Sequence, residues 1–307
     1  MDEPNAVGSF ENRPAGPPER ESTSAGPPPA AAVVPQHESN QCPSCGSGAN
    51  GPAPSYVYAL GTIEWRYPNI SVDKEFAQAG ARVRTEGMTD AEVVWQVLSQ
   101  HENRYLARQL CWVLCVQGLE TYILYPRDPA DFELLIQTTE GDPKMRISAV
   151  IGIRGQIAGP PVCNGLLLPT VGFDQIYTFA RDEMVALIPN TTKATDEDFR
   201  RVAREVFDRI MQMTDNSGAT DEYRALNYLA MRYPGTYATA VAKFNEDFSL
   251  TDVSTRFSPL SATRRIVDII FSYTHRKNDF TEKHFVRVDV TEEFPFLFSK
   301  MSLYYDR

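Results

Sequence analysis

Cys111-Trp112-Val113-Leu114-Cys115-Val116-Gln117-Gly118-Leu119-Glu120-Thr121-Tyr122-Ile123-Leu124-Tyr125 decides the fold class of this chain. Two runs rich in β-branched, aromatic and aliphatic residues flank Gly118, a pattern that predicts paired strands. Asp128-Pro129 follows and opens a helix through Leu135 and Ile136, with proline at the tolerated first position. Arg265 to Tyr273 and His284 to Val290 form a second strand pair, joined across Arg276-Lys277-Asn278-Asp279. Further strands are expected at Tyr56 to Glu64, Ile147 to Ile153, Leu166 to Val171 and Gln175 to Phe179.

Helices separate these strands. Ser71 is expected to cap a short one containing Lys74 to Gln78, and Thr89 another whose Val93, Val94, Val97 and Leu98 fit helical spacing. Thr195 caps a long amphipathic helix carrying Phe199, Val202, Val206, Phe207, Ile210 and Met213. One more runs from Thr220 to Met231 and stops before Pro234. No βαβ rhythm and no internal repeat emerge. The expected fold is α+β, a mixed and largely antiparallel sheet with flanking helices.

Proline divides the chain. Residues 1–54 hold 11 of the 22 prolines and almost no large apolar side chains, too little to offset the entropy of ordering. Residues 1–40 are therefore expected to be a disordered Pro-rich tail, 41–54 a cysteine knuckle with its linker, and 55–307 the folded domain. Two subdomains, 55–190 and 191–307, are one way to divide it. With 42% hydrophobic residues the 307-residue chain can build a substantial core. Thirty basic against forty acidic residues leave a net charge of -10, which argues against a nucleic-acid partner. No apolar run reaches the ~18 residues of a membrane span. Met1-Asp2-Glu3-Pro4 has no basic or apolar secretory start, so the expected location is the cytoplasm.

Cys42-Pro43-Ser44-Cys45-Gly46 is the sharpest chemical signal. Two cysteines two residues apart on a tight turn can aim both thiolates at one tetrahedral ion, yet a structural zinc needs four ligands. Cys163, in a Pro160-Pro161-Val162-Cys163-Asn164-Gly165 loop, is a candidate third, with one of Cys111 or Cys115 as the fourth. On a strand those last two share a face roughly 13 Å apart, so they should not bind the same ion. The alternatives are that Cys111 and Cys115 are small buried hydrophobes with Cys163 a loop thiol, or that Cys42 and Cys45 are a redox pair, though no thioredoxin-like βαβ pattern surrounds them.

Catalytic motifs are mostly absent. His101-Glu102 starts like a zinc-protease helix, but Tyr105 stands where the second histidine belongs. No Gly-x-Ser-x-Gly elbow lies in the core, and no phosphate-binding glycine loop is present. Arg127, Asp128, Asp174, Arg287 and Asp289 are the residues from which an acid–base site could be assembled. Asp289, Glu292 and Glu293 are read first as ion-pair carboxylates. Phe294 to Phe298 and Tyr304-Tyr305 form either a partner surface or a closing segment on the sheet.

Several blocks carry a family resemblance. They include Tyr56-Val57-Tyr58-Ala59-Leu60-Gly61, Val72-Asp73-Lys74-Glu75-Phe76-Ala77-Gln78 and Gly118 to Leu124. Pro126-Arg127-Asp128-Pro129-Ala130-Asp131, Cys163-Asn164-Gly165-Leu166, Phe173-Asp174-Gln175-Ile176-Tyr177 and Phe285 to Leu297 extend it. Residues 56–307 resemble the C-terminal domain of unknown function of the cyanobactin maturation proteases, the PatA/PatG family. The resemblance places cysteines at Cys111 and Cys163 and favours Cys111 over Cys115. Together with the Cys42–Cys45 knuckle, this gives the expectation of one structural zinc on Cys42, Cys45, Cys111 and Cys163. Subtilisin-type Asp, His and Ser blocks are missing, so a free-standing version without protease activity is expected.

The leading expectation is a non-catalytic accessory domain in ribosomal peptide maturation, which binds a precursor peptide or docks a subtilisin-like processing enzyme. The rivals are an Arg/carboxylate enzyme, and a structural domain that forms a homodimer. At least three of the five acid–base candidates should converge in one pocket if the enzyme reading holds.

Overall fold

The computed structural model describes residues 54–305 except 84–86, 143–144, 191, 193 and 214. The expected tail and, Pro54 apart, the knuckle lie outside the described residues. Pro52–Arg307 forms one compact unit.

Strand β1 (Tyr56–Arg66) is followed by helices α1 (Ile70–Gly80) and α2 (Asp90–Ser99), then a 3-10 segment, His101–Arg108. Asn69, not Ser71, caps α1: its side chain accepts from the Val72 N–H at 3.0 Å, so the helix starts one residue before Ser71. Thr89 caps α2 as expected and completes a capping box with Glu92. Strands β2 (Cys111–Val116) and β3 (Leu119–Pro126) form the hairpin foreseen from the sequence. Its two-residue loop has positive φ at Gln117 (53°) and Gly118 (78°), the primed turn whose twist matches flanking strands.

After α3 (Phe132–Thr138) come the long strands β4 (Arg146–Ile157) and β5 (Pro169–Ala180). The two strands expected across 166–179 are thus one strand. β5 pairs antiparallel with β4 and parallel with β3, which closes a five-stranded barrel in the order β1-β2-β3-β5-β4. Val57, Leu114, Leu124, Val150 and Phe173, one from each strand, meet in a single buried cluster. Only the barrel interior can collect residues from all five strands. Residues of α1, α2 and α3, including Phe76, Val97 and Ile136, join the same cluster.

Helix α4 (Arg181–Leu187) leads to α5 (Asp196–Met211), α6 (Asp221–Arg232) and α7 (Pro234–Asn245). Thr195 and Thr220 cap α5 and α6. Pro234 ends the reach of α6 and also begins α7, where its missing N–H costs nothing. A four-stranded antiparallel sheet completes the fold: β6 (Phe248–Phe257), β7 (Ile266–His275), β8 (Thr281–Asp289) and β9 (Phe296–Tyr304), in that order. The α+β class is as read from the sequence, with the strands divided between a barrel and a separate sheet. The helical layer buries Phe199, Phe207, Leu229 and Tyr237 with barrel residues Tyr58, Leu60 and Ile151 and sheet residues Phe271 and Val286. No helix among the described residues is long and apolar enough to cross a membrane.

Candidate functional site

The cysteines come first. Alternation along β2 puts Cys111, Val113 and Cys115 on one face, where they cluster with Ile123, Ala158 and Cys163. Cys163 sits in a 3-10 turn, Val162–Gly165, with left-handed backbone at Cys163, Asn164 and Gly165. That turn brings its sulfur to Cys111, and the two are joined as a disulfide with Cα atoms 5.5 Å apart. Cys115 is free and buried, and burial, then the charges of Glu64 and Glu120, pushes its thiol up to about 11. The four expected zinc ligands therefore divide. Cys111 and Cys163 are together, while Cys42 and Cys45 lie outside the described residues. Among the described residues no group of three or more His, Cys, Asp or Glu could hold a metal ion.

A charge cluster lies where β3 and β5 meet the connection from β8 to β9. The Arg127 N–H donates to the Phe173 carbonyl, which fixes the residue beside β5. Its Nη1 reaches Asp174 Oδ2 at 2.5 Å and Glu293 Oε2 at 3.3 Å. Glu293 is raised to about 7, by burial first and then by the hydrogen bond and charge of Asp174. Its other oxygen, Oε1, is buried with no hydrogen-bond partner among the described residues.

Alongside, Arg224 of α6 is only 1% exposed. It bonds Asp221 Oδ1 at 3.1 Å and the carbonyls of Val290 (2.9 Å), Glu292 and Glu293 (3.2 Å), and lies over the Tyr56 ring. Desolvation lowers its pKa, and the Asp221 charge opposes that. Arg265 is the second partner of Asp221, at 2.5 Å.

Of the five acid–base candidates, Arg127 and Asp174 meet and the others are occupied elsewhere. Asp128 accepts from the Ala130 N–H at 2.8 Å as a turn cap. Arg287 bonds Asp268 at 3.0 Å within the sheet. Asp289 accepts from the Thr291 N–H and hydroxyl at 2.9 and 2.6 Å. The threefold convergence required of that set is not met. Glu293 joins Arg127 and Asp174 instead, and what the trio can do chemically is hold or release one proton near neutral pH.

A cleft of about 1050 Å³ lies elsewhere. Its walls are Glu64, Trp65, Arg66 and Tyr67 at the end of β1, one side of α1, the first turn of α2, and Gly141-Asp142 ahead of β4. Arg66 bridges Glu64 (3.1 Å) and Glu120 (2.7 Å), while Glu92 is engaged by Thr89. The surface combines aromatic rings with carboxylates.

A family model described as PatG Domain matches residues 56–159, and one described as PatG C-terminal matches residues 193–304. The chain also resembles a solved structure titled PatG Domain of Unknown Function. Identity is 20%, the TM-score is 0.66, and the match covers 81% of this chain and 98% of that one. At that identity the likeness speaks for the fold. No curated protein matches the chain.

Proposed function

Because the chain belongs to the PatG-type domains of unknown function, we propose that it is a non-catalytic accessory domain of ribosomal peptide maturation. It binds a precursor peptide or docks a processing enzyme, such as a subtilisin-like protease, in the cytoplasm. The supporting observation is the 1050 Å³ cleft. Its aromatic and carboxylate walls suit a flexible polypeptide, with Glu64 held in an ion pair and Glu92 in a helix cap. Calorimetric titration of the full chain with precursor peptides and candidate processing enzymes tests the reading. Saturable heat with any one of them supports it, and no heat with all of them overturns it.

The same proposal includes a structural zinc. Once reduced, Cys111 and Cys163 supply two adjacent thiolates, and Cys42 and Cys45 supply the other two of a closed four-thiolate site. Reducing cytoplasm disfavours the disulfide and so favours the metal. Metal analysis under reducing conditions should find about one zinc per chain, lost in Cys163→Ser and kept in Cys115→Ser. Zinc-free wild-type protein would defeat it.

A further inference from the structure

We infer that a separate site, at the open end of the β2–β3 hairpin, holds the C-terminal residue of a peptide that ends in a large apolar side chain with its carboxylate free. The inference goes beyond the docking reading above and uses a different part of the molecule. The ladder between β2 and β3 stops at the Trp112–Leu124 pair. Beyond that pair Cys111 is matched with Arg66 of β1 and Tyr125 with Gly172 of β5, so the two strands part. A pocket of about 220 Å³ opens there, lined by Leu110, Cys111 and Trp112 on one side and Ile123, Leu124 and Tyr125 on the other. The disulfide from Cys111 brings the Cys163 turn against it as a third wall, with Pro161 and Val162.

The floor is apolar. Leu110, Trp112, Ile123 and Leu124 are at most 6% exposed, and the Trp112 ring N–H already donates to the Ala107 carbonyl at 2.9 Å. Pockets that enclose a whole small ligand run to ~300–1,000 Å³. This one therefore has room for part of a ligand, one large side chain, while the rest of the peptide leaves through the mouth.

Charge selects the end of the peptide. Arg108 is exposed at the mouth, its guanidinium carbon 5.8 Å from the centroid of the Phe132 ring, and both residues line the pocket. Arg108 is the one charged side chain among the described lining residues, and no carboxylate among the described residues forms an ion pair with it. Glu133, next to Phe132 in the chain, is taken by Arg104 at 2.9 Å. On a chain of net charge -10, a carboxylate is held best where a cation is left uncompensated. Arginine binds a carboxylate through two parallel N–H bonds. A C-terminal residue is the one place in a peptide where a carboxylate and a large apolar side chain share a Cα.

The test uses fluorescence anisotropy on the full chain in its disulfide form, with four glycine-serine hexapeptides labelled at the N-terminus. One ends in phenylalanine with a free carboxylate, one in phenylalanine amide, and one in serine with a free carboxylate. The fourth ends in phenylalanine-aspartate-glycine amide, so that its carboxylate lies on a side chain. The first should bind saturably, and each of the others at least about tenfold more weakly. Arg108→Gln should bring the free acid down to the level of the amide while thermal unfolding stays unchanged, because the exposed Arg108 makes only the ring contact. No saturable binding of the first peptide, or equal binding of acid and amide or of phenylalanine and serine, overturns the pocket, and none of these results needs a variant to fold. Equal binding of the fourth peptide overturns the C-terminal residue as the occupant. An acid preference that survives in Arg108→Gln overturns the site. All of these failures leave the docking reading standing, whereas binding of the first peptide with every natural precursor and enzyme silent overturns that reading and leaves the pocket.

Discussion

Along β9 the main-chain N–H groups of Leu297 and Met301 donate to the hydroxyls of Tyr228 and Tyr233, at 3.1 and 3.0 Å, so α6 and its junction with α7 cover that border of the sheet. On β6, at the opposite border, the carbonyls of Phe248 and Leu250 accept from Arg276 and Arg209. The second half of β1 has no ladder partner on the edge away from β2 among the described residues, and there the Trp65 carbonyl accepts from Arg66 Nη1 at 3.5 Å. Uncovered strand borders invite association, and proteins normally blunt them with side chains. This one spends four long side chains on the sheet and one, Arg66 at Trp65, on the barrel border. The sheet borders are latched from distant parts of the chain, that border of β1 only from within its own strand.

Three measurements can break or sharpen that contrast. Arg224 holds the carbonyls of Val290, Glu292 and Glu293, and so sets where the chain enters β9 beneath the two tyrosines. Arg224→Met leaves those carbonyls unpaired in the interior and should cost about 3 kcal/mol in urea unfolding. A loss below about 1 kcal/mol would mean that the β9 cover does not depend on this anchor.

The double variant Tyr228→Phe with Tyr233→Phe keeps both rings but removes both hydroxyl acceptors. It should lose roughly 2 kcal/mol and gain larger species in light scattering as the β9 border becomes available for pairing. An unchanged mass distribution would show that the hydroxyls are not the guard.

The smallest effect concerns Glu293, whose pKa rises from 4.5 to about 7 in the folded chain. Between those values the folded chain holds a proton that the unfolded chain has released. Its contribution to stability is therefore complete below pH 4.5 and is lost as pH rises through about 7. Glu293→Gln should flatten that part of the thermal stability profile and be about 1 kcal/mol more stable than wild type at pH 8. Parallel pH profiles for the two proteins would count against the trio as a titrating unit.

What could be read from the sequence was local. The β2–β3 hairpin shows in Gln117-Gly118 between two apolar runs, and the β7–β8 pair in its two apolar runs and polar connection, closed by His275 N–H on the Phe280 carbonyl. Barrel closure could not be read, because nothing within Leu119 to Pro126 tells which strand lies on its second side. The parallel partner, Thr170 to Phe173, follows about 45 residues later in the chain. β9 stayed hidden because Phe296 and Phe298 face outward, 45% and 41% exposed, which disguises the alternation of a half-buried strand. Arg127, Asp174 and Glu293 are separated by 47 and 166 residues, so no spacing rule could unite them. The meeting of Cys111 and Cys163 depends on a run of left-handed residues that an Asn-Gly pair only hints at.

The bond from Asn227 to the Tyr58 carbonyl spans 169 residues of chain, and that distance is also a delay. A ribosome adding ~5–20 residues per second needs roughly 8 to 34 seconds to travel it. Throughout that interval Tyr56 to Arg66 is already made, but α6, which covers its first half, is not. An apolar, strand-forming segment is thus exposed early, before its latch exists, and must be shielded by chaperones or by transient collapse with β2 and β3. Strand β1 is thus fully secured only once residue 227 has been made, and nascent chains stalled short of it leave its first half exposed.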